Sequence, residues 1–181
     1  MIKSLDLSNS KKKYSHKGFE ILPSHYWVEE FLQSLNKLPE ESRKLMFWNQ
    51  TNSDLYFNLR SFSRTKGFRF QKEGRGMYWL FNKPKDFNNA WTLDVFNPPD
   101  SGINGIDFIR AVPTYFYIVD KFKETLKCKK LRAFVLNDNI QSMRMCKTLV
   151  KKGYLDLECE LKNEVFVHGK DRDLTLFLRS K

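Results

Sequence analysis

The segment 131–154, LRAFVLNDNIQSMRMCKTLVKKGY, constrains the fold more than any other part of this chain. Leu131, Ala133 and Val135, with Phe134 between them, make an apolar run of the kind found in strands. Asn137, Asp138 and Asn139 break that run. Asn139 is suited to open a helix, because its side chain accepts one of the orphan backbone N–H groups at a helix start. Ile140, Met143, Cys146, Leu149 and Val150 then recur at helical spacing on one face. Lys147, Lys151 and Lys152 fill the last turns, and Gly153 supplies the left-handed residue that ends the helix. A short apolar strand is expected next, over 155–161, and a final one over 174–178.

Upstream, residues 1–17 are polar and are expected to form a basic arm, within which a short strand could form, ahead of a single domain over 18–181. Residues 19–22 are a short strand. Pro23 and Ser24 open a helix with Trp27, Val28, Phe31, Leu32 and Leu35 on one face. A second helix is expected to start at Pro39, and a third, capped by Asp54, to end near Gly67. The texture then turns to β, with strands over 68–70, 77–81, 90–96 and 106–112. Gly74 and Gly76 punctuate one turn, 82–85 forms another, and 97–102, NPPDSG, is the strongest turn signal in the chain. Pro113 is expected at the first turn of a helix, where its missing N–H costs nothing. Phe116, Val119, Phe122 and Leu126 make that helix's buried stripe.

A chain of 181 residues can bury a substantial core as one domain. With 41% hydrophobic and 15% aromatic residues it is globular rather than disordered. No apolar run is long enough to span a bilayer, and the first residues lack the apolar stretch of a secretory signal. Cys128, Cys146 and Cys159 show no CxxC spacing, which points to reduced thiols in a cytoplasmic protein and to no metal. The net charge of +11 implies attraction to polyanions, so nucleic acid or an acidic protein is an expected partner, and a membrane is not. The competing account is that the lysines are merely solvated. Basic residues concentrate at 11–13, 60–75 and 121–132 without a nucleic-acid-binding motif around them.

The 131–154 block resembles the end of the GCN5-related N-acetyltransferase (GNAT) fold, where a strand ending in Asn-x-x-Ser leads to a helix and then Lys-x-Gly-aromatic. Asn139, Ser142, Lys151, Lys152, Gly153 and Tyr154 carry the match. Gly169, Asp171 and Asp173, followed by Leu174, Thr175 and Leu176, look like the family's last hairpin. The order of the remaining elements agrees. The resemblance implies an α+β (α/β) fold with a mixed, mostly antiparallel central sheet flanked by helices.

It also implies acetyl-CoA held in a V-shaped opening between two strands, with the pyrophosphate on N–H groups at the start of the following helix. Placed on strands 106–112 and 131–136, that site calls on Ala111, Val112, Thr114 and Tyr115, together with Asn139 and Ser142. Segment 112–118 departs from the family pattern, having no glycine and no Arg or Gln. Gly102 and Gly105 could serve instead, but a helix starting there would enclose Pro113, so they read better as a hairpin turn. Catalysis in the family commonly uses a base for the amine and an acid for the departing thiolate. Cys146 stands at the acid's usual position, seven residues after Asn139, although its place on the apolar face suits a buried structural thiol. Asp107, or alternatively Asp94, could be the base, and Tyr115, Tyr117 and Tyr154 are further candidates. His16, His25 and His168 have no partner spacing.

Two functions follow. One is an acyl-CoA-dependent N-acyltransferase. The other is a catalytically inactive GNAT-like protein, of the kind some phages encode as virion components or as nucleic-acid- or protein-binding modules, found in the virion or the host cytoplasm.

Overall fold

The computed structural model describes residues 5–6, 8–40, 42–43, 51–62, 65–83, 90–98, 101–102, 105–167 and 169–179. Two tight reversals build the first half of its sheet. Strands β1 (Tyr14–His16) and β2 (Phe19–Pro23) are joined by Lys17 and Gly18, at φ 48° and 79°. Strands β3 (Thr65–Lys72) and β4 (Arg75–Asn82) are joined by Glu73 and Gly74, at φ 52° and 77°. Two consecutive positive φ values match the right-handed twist of the flanking strands, which is why glycine sits second in both loops. The β1–β2 hairpin draws part of the 1–17 arm into the sheet.

Strands β5 (Ala90–Phe96), β6 (Lys130–Leu136), β7 (Asp156–Val167) and β8 (Lys170–Arg179) complete one eight-stranded sheet in the order β1-β2-β3-β4-β5-β6-β8-β7. Every neighbouring pair is antiparallel except β5 with β6, which is parallel. The fold is therefore α+β, with a mixed and mostly antiparallel sheet.

Helices α1 (Val28–Asn36) and α2 (Asn52–Ser61) cover one face of the sheet. Trp27, Phe31, Leu35, Leu55 and Leu59 pack there against Tyr78, Leu80 and Phe96. Asp54 is not the N-cap of α2. Thr51 is, and Asp54 stands three residues on, accepting from the Thr51 N–H at 3.0 Å while the Thr51 hydroxyl accepts from the Asp54 N–H at 3.1 Å. The helix stops at Ser61, with Phe62 left-handed, well short of Gly67. Gly67 has a different duty within β3: a Cβ there would come 2.6 Å from Leu59 Cδ2 and 2.9 Å from the Trp27 ring. The proposed helix after Pro39 lies mostly outside the described residues, as do half of turn 82–85 and His168.

The other face is covered by α3 (Gly105–Leu126) and α4 (Ile140–Lys151). Here the sequence expectation fails. Residues 106–112 are not a strand, and Pro113 does not open a helix; all of them lie inside α3. Phe108, Val112, Tyr115, Val119, Phe122 and Leu126 form one unbroken helical stripe, whose first members mimic a short apolar run. The cost of Pro113 is contained because it is exposed, and so is Ile109 one turn earlier, whose carbonyl loses its partner and can be hydrated. Pro113→Ala is expected to raise the unfolding free energy by about 1–2 kcal/mol, less than the full penalty because alanine frees the unfolded chain. Urea denaturation would show it, and an unchanged or lower midpoint would mean that the surroundings need the proline's geometry.

Helix α4 follows its sequence closely. The Asn139 side chain accepts from the Ser142 N–H at 3.2 Å. At the other end Gly153 (φ 72°) donates to the Val150 carbonyl and Tyr154 to the Leu149 carbonyl, both at 2.9 Å, which closes the helix in a Schellman motif.

Candidate active site

Parallel strands β5 and β6 pair only at Ala90–Lys130, Trp91–Leu131 and Thr92–Arg132, and then part. Arg132 is the last residue of β6 paired with β5. Its guanidinium grips the Glu158 carboxylate with two hydrogen bonds of 2.7 Å, so the base of the fork is pinned to β7. Beyond it, the facing edges of 93–96 and 133–136 have no ladder between them. A cleft of ≈ 1090 Å³ occupies the gap.

The cleft passes through the sheet, because side chains alternate along each strand. Asp94 and Phe96 share the face covered by α1, where Leu38 and Ser42 also line the cleft, as do Phe134 and Leu136 from β6. Leu93, Val95, Ala133 and Val135 line the opposite side beneath α3 and α4. Two chambers thus meet between the strands.

Asp94 is the titratable group of interest. It is half-buried, and burial pushes its carboxyl up to about 7, opposed by a 2.8 Å hydrogen bond from the Asn82 side-chain amide to Oδ2. A carboxylate that exchanges its proton near neutrality can act as a general base.

The residues singled out from sequence fall into three groups. Asn139 and Ser142, at the start of α4, line the cleft, and so do Cys146 and the Val112 side chain. Ala111, Val112, Thr114 and Tyr115 were chosen for their N–H groups at a helix start, and that reason is removed: they lie inside α3, where such groups are spent within the helix. Tyr115 is buried among the rings of Phe19, Phe70, Trp79 and Phe108. Asp107 stands on the first turn of α3 rather than on a strand, and its side chain is outside the described residues.

Cys146 is 3% exposed, packed with Val135, Met143 and Phe177, and burial pushes its thiol up to about 12. A group that holds its proton that tightly is a poor donor to a departing thiolate. Asn82 was read only as a turn residue. No signal in the sequence pairs it with Asp94, since the two meet through strand register.

Arg144 and Lys152 also line the cleft, while two further charged groups there are engaged. Arg179 binds Asp120 through two hydrogen bonds of 3.0 and 2.7 Å, donates to the Tyr154 carbonyl at 2.9 Å and lies over the Phe116 ring. Asp138 is paired with Arg172. Among the described residues no His, Cys, Asp or Glu group could hold a metal ion, and no helix is long and apolar enough to cross a membrane.

No family model matches the sequence, and no curated protein matches it. Solved structures do, over nearly the whole chain. The spermidine N-acetyltransferase of Vibrio cholerae, solved with CoA and spermine, superposes with a TM-score of 0.66 at 13% identity, covering 92% of this chain and 98% of its own. RimL, a ribosomal L7/L12 alpha-N-protein acetyltransferase solved with coenzyme A, gives 0.63 at 12%, covering 93% and 98%. A GCN5-related N-acetyltransferase from Brucella melitensis gives 0.63 at 14%, covering 94% and 79%. The chain has the GNAT fold. The strands that part are β5 and β6, whereas the resemblance, read from sequence, places the opening between 106–112 and 131–136. The strand before it is β5 and not 106–112, so the helix that follows the opening starts at Gly105. Gly102 (φ 68°) stands just ahead of it, and the pair read as a hairpin turn is the approach to α3.

Proposed function

We propose that this GNAT-fold protein is an acyl-CoA-dependent N-acyltransferase that acts on an amine, with Asp94 as the general base. The observation that carries the reading is the place of Asp94: a carboxyl that burial pushes up to about 7, held by Asn82 at a cleft lined from both faces of the sheet. The relatives are too distant to bring their substrates with them, and their coenzyme A supports only the choice of acyl donor.

The residues present suit such a donor. The free edge of β5 over 93–96 offers unladdered backbone groups to an extended, amide-bearing chain, as sheet edges do for peptides. The first turn of α3 presents the positive end of its dipole, which favours phosphate. Asn139 and Ser142 line the wall opposite. When bound, the donor supplies a thioester carbonyl as the electrophile.

The chain's own part is to orient and to move a proton. Asp94 accepts the proton of the attacking amine on the α1 face. Donors on the free β5 edge stabilise charge developing on the acyl oxygen. Cys146 serves as apolar wall, keeping water from the donor side.

Titration calorimetry with acetyl-CoA tests the binding half of the proposal. Saturable binding is expected, together with a stabilisation of about 2.7 kcal/mol at a concentration 100-fold above Kd. No heat and no thermal shift at millimolar acetyl-CoA would overturn it. Release of free thiol against a panel of peptide α-amines and small alkylamines would then identify the acceptor.

A further inference from the structure

We infer that Asn82, held by Thr65, is a positioning residue for Asp94: a hydrogen-bond chain across three strands turns the carboxylate toward the cleft and holds it ready to take a proton. The inference deepens the acyltransferase reading, and its catalytic consequence rests on that reading.

The chain is built by register. Thr65 opens β3 and pairs with Asn82, the last residue of β4, which in turn pairs with Thr92 of β5. Asp94 is two residues beyond Thr92 on the same face. The Thr65 hydroxyl donates to Asn82 Oδ1 at 2.7 Å, and Asn82 Nδ2 donates to Asp94 Oδ2 at 2.8 Å. Thr65 is only 8% exposed. With Oδ1 occupied by Thr65, the carboxamide faces Asp94 with its N–H. The reverse orientation would set a carbonyl oxygen against the carboxylate and is tolerable only while Asp94 is protonated. Among the described residues Oδ2 is thus held by a donor, while Oδ1 has no hydrogen bond and is the oxygen left for the acceptor amine.

Several charged groups on the surrounding elements are committed elsewhere, and Arg144 and Lys152, on α4 and at its end, line the cleft from the other face of the sheet. Arg132 on β6 binds Glu158, and Lys66 on β3 donates to the Phe62 carbonyl. On α1, Glu29 and Glu30 pair with Arg60 and Arg69. Asp138 ahead of α4 pairs with Arg172. Among the described residues, burial and Asn82 are the two influences on this carboxyl, and they oppose each other.

The test uses the whole protein labelled with carboxyl-¹³C aspartate, the Asp94 resonance being assigned by its loss in Asp94→Asn. A hydrogen bond to a charged group is worth about 1.5–3 kcal/mol, so Asn82→Ala is expected to move the titration midpoint of Asp94 upward by about 1 pH unit or more. In kcat/KM with acetyl-CoA and an accepted amine, that variant loses about tenfold at pH 6.5 and recovers at pH 9. Thr65→Val moves the midpoint the same way by less, and Thr65→Ser restores it. A merely structural asparagine would instead lower stability, or lower activity equally at all pH values, with the midpoint unmoved; that result overturns the inference. If Asn82→Ala does not fold, Thr65→Val and Thr65→Ser decide by the same resonance. A shifted resonance in a protein without transferase activity would keep the positioning role and discard the acyltransferase reading.

Discussion

Asp94→Asn lowers kcat/KM for amine acylation by about 100- to 10,000-fold, the range a well-placed general base supplies. The wild-type rate is expected to rise with pH through about 7 and level off above it, because only the ionised carboxylate can accept a proton. The same substitution makes the fold more stable at alkaline pH. The folded carboxyl keeps its proton to a higher pH than it would in the unfolded chain. Between about pH 4 and pH 7 the folded state therefore binds more protons, and wild-type stability falls as pH rises through that window. Asparagine carries no charge to desolvate and still offers an oxygen to Asn82. The variant should be more stable than wild type at pH 8 by about 1–2 kcal/mol, a figure reduced for the partial exposure of the site, with no difference near pH 4. Urea denaturation at the two pH values, beside the rate measurement, checks both arms. A variant that keeps its activity removes Asp94 from catalysis.

Phe122→Ala costs about 3–5 kcal/mol, the largest stability effect expected of a single substitution in this core. Phe122 is 0% exposed and stands where α3 meets the sheet. Its ring centroid lies 4.4 Å from that of Phe68, 4.7 Å from Phe81 and 6.4 Å from Phe70. Truncation leaves three rings facing a void that a rigid sheet cannot close. Against a total of about 5–15 kcal/mol for an ordinary domain, the loss should be plain in the midpoint of equilibrium unfolding. A cost below about 1 kcal/mol would mean that α3 settles into the vacancy.

The two halves of the chain differ in how far local sequence discloses them. Helix α4 was legible from end to end because its signals are local: Asn139 caps it, one apolar stripe runs along it, and Gly153 closes it with the predicted left-handed turn. The start of α3 was not. A general rule about proline in helix interiors outweighed the spacing of Phe108, Val112 and Phe116, and the rule yields where the proline and the stranded carbonyl both face water. That displacement carried the expected phosphate-binding positions to Ala111, Val112, Thr114 and Tyr115, in the interior of α3 and past its first turn. Asp94 was visible as an alternative to Asp107, but its environment was not. The shift of its carboxyl comes from burial beside the fork and from Asn82, twelve residues away in sequence and adjacent only through the pairing of β4 with β5.

The fork between β5 and β6 is also a seam in the architecture. Strands β1 to β5 with α1 and α2 make one body of local hairpins, while β6 to β8 with α4 make another. Three residue pairs join their edges. Leu131 of β6 joins the core of the first body, and α3 spans both, its stripe reaching the first through Tyr115, Val119 and Phe122 and the second through Val112 and Phe116, with Asp120 tied to Arg179 of β8. With so few edge pairs, the two bodies are expected to open as separate cooperative units before the chain unfolds as a whole. A molecule bridging the free edges would stitch the seam shut, so occupancy of the cleft and the mechanical unity of the protein are one equilibrium.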